Sequence, residues 1–317
     1  MQDIQPNSEN ENIQKKLLSA YEKMKEAKYT EAINLLDNAL SIDFEHCETL
    51  SALKCANFWK DRQEQAESIR DLFDKGEYLI AQWDKFESFI EQIGGASDQC
   101  VIAIKHSVFG QALQAYEHLI QESGGIDPEI YMRAGRCYKA IGNYEKALEC
   151  YENAMQQKRD DAGILAELAD AYALVNELRF SKAFFREAFY LNPQGIDLSK
   201  LESGMIGRLI EKVKERGFTG QEIAEWIPVY GVLFGVFNIK RELRPIELGK
   251  LKQSIYALET EVREGRENAG FLKPRLINRY FWLIDHYMAK KEDRKKIEEV
   301  LLKLQEIDPA VHRDYTN

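Results

Sequence analysis

Apolar and small residues recur at three- and four-residue intervals along most of this chain, the spacing that places them on one side of a helix. Tyr131, Ala134, Gly135 and Tyr138 share such a face. After the turn Gly142-Asn143-Tyr144, a second face carries Ala147, Tyr151 and Ala154. One period of about 34 residues later the set returns as Leu165, Leu168, Ala169 and Tyr172, then Ser181, Phe185 and Ala188, and closes on Pro193. The pattern predicts two helices per period. Small residues at Gly135, Ala147 and Ala154 let the paired helices approach closely, and Tyr138 and Tyr151 fill the space beside them.

Fainter copies flank this centre. Tyr29 and Ala32 follow a turn and lead to Leu36 and Ala39; Gly76, Tyr78 and Ala81 read as a turn opening another second helix; Ala112 and Tyr116 open a third. The interval from Ala32 to Ala81 exceeds the period by about 15 residues, which predicts a longer first helix or an extra turn between Cys47 and Lys75. Near the end, Phe281, Ile284 and Met288 fall on packing positions of a two-helix outline that stops at Asp308-Pro309. There Ile297, Leu301 and Leu304 replace the small and aromatic residues of the second helix, so the unit reads as a terminal cap.

Between the last good copy and the cap the signature is lost but helical spacing persists. Leu198, Leu201, Met205, Ile206, Leu209, Ile210 and Val213 form one stripe ended by Gly217. Thr219 followed by Glu222 is arranged like a capping box. A further helix is expected from Pro245, carrying Ile246, Leu248, Leu251, Ile255, Leu258 and Val262.

The pattern from Pro128 to Pro193 resembles the tetratricopeptide repeat family, whose signature is Trp-x2-Leu-Gly-x2-Tyr, then Ala-x3-Phe, then a later Ala and a Pro. Tyr131 and Leu165 stand where Trp is usual, Ala134 where Leu is, Arg159 where Pro is, and Ser181 where Ala is. The resemblance implies an all-α fold, an α-α superhelix with a less regular C-terminal helical section. The expected divisions are a disordered tail over 1–12, repeat-like pairs over 13–93, repeats over 94–195, an irregular helical section over 196–277 and a repeat-like cap over 278–317. It also implies a concave groove lined by first helices, where such proteins hold peptides or partner segments. On the side opposite the packed residues, Met132, Arg136 and Lys139 would face that groove, followed by Ala166, Asp170 and Ala173, with Glu167 near the rim. Arg136 and Lys139 suit a carboxylate, Arg with two parallel contacts. Glu167 and Asp170 would repel a terminal carboxylate, so the family's chaperone-tail clamp is not reproduced.

Composition narrows the partners. The 317 residues are 44% hydrophobic and 30% charged, with 7 Pro and a formal net charge of −10; a field of that sign repels phosphate backbones, so nucleic acid is not the expected partner. The five cysteines lack CxxC spacing, and the histidines are scattered, so no metal site is expected. Neither a Gly-rich phosphate loop nor a nucleophile elbow is present, and an enzyme, a cofactor and a small-molecule substrate are not expected. The start lacks the basic and apolar regions of a secretory signal, and the reducing cytoplasm is the expected compartment. The most apolar run, Trp226 to Ile239, is shorter than the roughly 20 residues of a bilayer span.

Two other surfaces remain. Trp226, Tyr230, Phe234 and Phe237, with Gly231 and Gly235 four apart, are either a buried core helix or a self-association face giving a homo-oligomer. The basic residues Lys273, Arg275, Arg279, Lys290, Lys291, Arg294, Lys295 and Lys296 sit among aromatics and give the alternative of a nucleic-acid- or transcription-associated module. The reading as a whole is a non-enzymatic adaptor or scaffold for a partner protein or peptide.

Overall fold

The computed structural model describes residues 6–265 and 269–317, and among them the chain forms fifteen α-helices and no strand. The helices divide between two compact units, residues 1–157 and 158–317. Their boundary falls inside the 94–195 block. In the first unit α1 is Pro6–Lys25, α2 Tyr29–Leu40, α3 Cys47–Ser68, α4 Leu72–Gln92, α5 Asp98–Glu122, α6 Pro128–Ala140 and α7 Tyr144–Gln157. The second holds α8 Ala162–Leu174, α9 Leu178–Leu191, α10 Gly204–Glu215, α11 Glu222–Leu233, α12 Pro245–Arg263, α13 Ala269–Ala289, α14 Arg294–Ile307 and α15 Pro309–Thr316. Residues 6–12, expected in the tail, belong to α1; residues 1–5 lie outside the described ones.

Helices start where short acidic or hydroxyl side chains can satisfy the free N–H groups of a first turn. Asp71 accepts from Asp74 N at 2.9 Å, Asp127 from Glu129 N at 2.9 Å, and Asp161 from Gly163 N and Ile164 N at 2.9 and 3.1 Å. Asp308 caps α15 in the same way, so a further helix follows the expected stop at Asp308-Pro309. Pro309 takes the first helical position, where a missing N–H is harmless. The capping box expected at Thr219 is not formed: α11 begins at Glu222, and only the Thr219 carbonyl is used, accepting from Glu222 N at 3.1 Å. At Pro245 the start agrees with the expectation, with Glu247 accepting from Arg244 N at 2.7 Å.

One turn recurs between paired helices. A residue with φ near +60 to +80° follows the first helix at Ala27 (62°), Gly142 (81°), Asn176 (65°) and Lys291 (54°). Each is followed by an N–H that reaches back over the last turn: Lys28 to Lys23 O, Asn143 to Tyr138 O, Glu177 to Tyr172 O and Glu292 to Tyr287 O, all 2.8–2.9 Å. That bond pattern closes a helix through a left-handed residue, and only one of the four positions carries the glycine that favours it.

In the first unit α1 packs on α2, α4 on α5, and α6 on α7, while α1 also packs on α5 and α2 on α3. The interval between Cys47 and Lys75 is filled by the 22-residue α3. Its Trp59, fully buried, lies among Tyr29, Phe58 and Phe86. Gln63 and Gln111 exchange two amide hydrogen bonds of 2.9 and 3.0 Å between α3 and α5. In the second unit α8 packs on α9, α12 on α13, α13 on α14, and α11 on both α13 and α9. The core there is charged as well as apolar: the Arg186 guanidinium, 4% exposed, pairs with Asp285, donates to the Ile239 carbonyl and stacks 4.6 Å from the Trp282 ring centre. No helix of the described residues is long and apolar enough to cross a membrane.

Candidate functional site

Small residues set the site. Gly135 in α6 lies under Tyr151 of α7, so close that an added Cβ would fall 2.5 Å from the ring. Ala147 and Ala154 are fully buried beside it. Gly76 makes the same approach to Tyr116, again 2.5 Å from an added Cβ. The spacing of Gly76, Tyr78 and Ala81 predicts a turn and the start of a second helix. Instead Gly76 lies inside α4, a first helix, and Ala81 is exposed. The partner second helix is α5, where Ala112 and Tyr116 are both fully buried. Periodicity alone missed this because α4 and α5 are much longer than the repeat's own helices.

Aligning Gly76 with Gly135 brings together residues that the pattern did not single out. Arg133 of α6 grips Glu77 of α4 with two hydrogen bonds, 2.6 Å to Oε1 and 3.1 Å to Oε2. Tyr116 donates to the same Oε1 at 2.6 Å. The Arg133 guanidinium sits 5.0 Å from the centre of the Phe73 ring and also pairs with Glu129. Burial alone would raise the Glu77 carboxyl, but hydrogen bonds from Arg133 and Tyr116 and the nearby Arg136 charge outweigh it and hold it below the ordinary carboxylate range. Glu77 remains 40% exposed. The face of α4 and α6 is therefore fixed in shape and still open to solvent.

Of the expected groove residues in this unit, Arg136 is half-buried and engaged, whereas Met132 and Lys139 are buried, at 8% and 3% exposure. The Lys139 ammonium lies 6.0 Å from the Tyr151 ring centre. A long side chain beside an open aromatic face covers that ring in preference to extending outward.

In the second unit Asp170 and Glu167 are not presented to a ligand either. Asp170 is fully buried, and its two oxygens accept from Glu202 N at 2.9 Å and Ser203 N at 2.8 Å. The carboxylate thus serves the N-terminus of α10, where its negative charge meets the positive end of the helix. Glu167 is 3% exposed and also engaged.

The aromatic run is mostly core. Trp226 stacks on Phe218 with ring centres 4.5 Å apart, and Trp226, Tyr230 and Phe237 are all less than a tenth exposed. Phe234 alone is open, at 41%. The glycine pair has separate uses: the Phe237 ring covers the space a Gly231 side chain would need, and Gly235 adopts φ +68° in the turn that ends α11. Intramolecular packing thus takes up most of this run, as in the core-helix alternative.

Of the eight basic C-terminal residues, six are paired within the chain, while Lys291 and Lys295 are exposed. Lys273 pairs with Asp308 at 2.8 Å, Arg275 holds the fully buried Glu225, and Arg279 donates to the Tyr190 carbonyl at 2.8 Å. Lys290, Lys296 and Arg294 pair with Glu292 and Glu298. Met288, expected at a packing position, is 45% exposed, while Phe281 and Ile284 are buried as expected.

A tetratricopeptide repeat family model matches residues 103–162, from Ala103 in α5 to the first residue of α8. The expected second copy, ending at Pro193, lies beyond that stretch. A search of curated proteins finds no match to the chain.

Proposed function

We propose, from the tetratricopeptide repeat match over residues 103–162 and the protein–protein interaction that such repeats generally mediate, that the chain is a non-enzymatic adaptor whose α4/α6 face receives a segment of a partner protein. The observation that carries the reading is the Glu77–Arg133 pair, braced by Tyr116 and Phe73 on first helices held in place by Gly76 and Gly135. A half-open ion pair on rigid helices offers a partner directed hydrogen bonds without an ordering penalty. Arg136, beside it, supplies a further guanidinium for a carboxylate or backbone carbonyl.

The test is capture of partners from the native source by the intact chain and by Arg136→Glu, with cross-links mapped by mass spectrometry. The expected result is a partner cross-linked to α4 or α6 and lost in Arg136→Glu, with helical circular dichroism intact. Capture that survives the substitution, or cross-links confined to other helices, overturns the reading.

A further inference from the structure

The α10 helix presents Arg208 and Lys212 on successive turns and ends on Arg216, all exposed. They border an open cleft of about 530 Å³ whose apolar wall is made by Met205, Leu209, Val236 and the exposed Phe234. The Arg216 guanidinium lies 5.4 Å from the Tyr230 ring centre and 5.8 Å from that of Phe234, so charge and aromatic surface are contiguous. Lys212 has a surface partner in Glu215 at 2.7 Å, a weak bond that a ligand can displace. Arg208 and Arg216 make no ion pair with any described residue. Basic residues suit the end of a helix because of its dipole, which accounts for Lys212 and Arg216. The dipole does not account for Arg208 in the middle of α10 or for the open Phe234.

In a chain of net charge −10, a cleft that sets Arg208, Lys212 and Arg216 against the single lining carboxylate of Glu215, beside an apolar wall, reverses the prevailing sign. We propose that it docks an acidic amphipathic peptide segment, whose carboxylates meet Arg208, Lys212 and Arg216 and whose aromatic or branched aliphatic side chain lies on Phe234 and Met205. Such a helix-in-groove arrangement uses apolar anchors for affinity and charges for orientation. The apolar wall favours a peptide over a nucleic acid, which would need a longer basic track and no such wall. The site shares no residue with the α4/α6 face, and the proposal does not depend on that face. Asp170 gives the cleft rigidity by holding the backbone amides of Glu202 and Ser203, which lead into α10.

The experiment is phage-display selection of random peptides on the full chain, followed by fluorescence anisotropy with the enriched peptide synthesised and labelled. Enrichment of Asp and Glu around a Phe, Trp or Leu is expected. Binding should weaken as salt rises and fall at least about tenfold in Arg208→Glu/Arg216→Glu. Phe234→Ala should weaken it separately, and Arg208→Lys should retain most of it. Arg136→Glu should leave it unchanged, which separates failure here from failure at the α4/α6 face. Four results overturn the proposal: no enrichment, enrichment of peptides without acids, affinity unmoved by the double charge reversal, or an oligonucleotide that outcompetes the peptide at the cleft.

Discussion

Gly76 and Tyr116 stand in the same relationship as Gly135 and Tyr151: in each pair a ring on the second helix occupies the place of a missing Cβ on the first. Replacing glycine by alanine inside a helix ordinarily stabilises it by about 1 kcal/mol. At Gly76 and Gly135 the sign should reverse, because each ring is fully buried and cannot retreat. Gly135→Ala and Gly76→Ala should each cost about 1–3 kcal/mol through overpacking. Thermal unfolding checks this, and a combined Gly135→Ala/Tyr151→Leu variant should recover much of the loss. A melting temperature raised by either alanine would contradict the assignment.

The recurrent left-handed turn makes a second prediction. A non-glycine residue in that conformation costs roughly 1–2 kcal/mol, partly offset by the greater freedom glycine gives the unfolded chain. Ala27→Gly and Lys291→Gly should therefore each stabilise by about 0.5–1 kcal/mol. Asn176→Gly should gain less, since asparagine tolerates this region. Denaturant midpoints measured for the three variants test the order.

Ser181 replaces the alanine usual in the repeat, and its hydroxyl is buried without a hydrogen-bond partner. Ser181→Ala removes an unmet polar group at no cost in volume. A gain of about 1 kcal/mol is expected, measured by chemical denaturation; a loss would mean that the hydroxyl has an acceptor.

Arg186 and Asp285 form a buried pair, and its members are unequal to their separate removal. Asp285→Asn leaves the guanidinium, 4% exposed, without its counter-charge and should cost about 3–5 kcal/mol. Arg186→Met combined with Asp285→Leu should cost much less, because neither charge is then stranded. If the double variant is as damaged as the single, packing against Trp282 matters more than charge.

His286 is almost fully buried, and its Nδ1 accepts from Leu243 N at 3.0 Å, a bond that only the neutral ring can make at that nitrogen. Burial, with the nearby Lys290 charge, lowers its affinity for a proton. The unfolded chain then binds more protons than the folded one below about pH 6.5, so stability present above that pH is lost as pH falls. The melting-temperature advantage of the intact chain over His286→Gln should shrink between neutral and mildly acidic pH. An advantage independent of pH would rule out the neutral, accepting ring.

Sequence alone determined the elements whose signal is local. The α6/α7 pair is legible because Gly135, Ala147 and Ala154 recur at helical spacing with Tyr138 and Tyr151 beside them, and the Pro245 start is legible from the proline itself. Gly76 shows the limit of that signal: a glycine marks either a left-handed turn or a close approach, and only the Tyr116 ring distinguishes them. The same limit applied to charge and to aromatic character. The pattern puts Asp170 on the groove side and leaves Trp226 and Phe237 open between core and interface, because a periodic pattern fixes which side of a helix a residue occupies but not what lies against that side. Tertiary packing decided that Asp170 anchors α10, that Lys139 covers Tyr151, and that Arg208, Arg216 and Phe234 remain open. Such outcomes depend on which helix arrives as neighbour, and residues distant along the chain choose it.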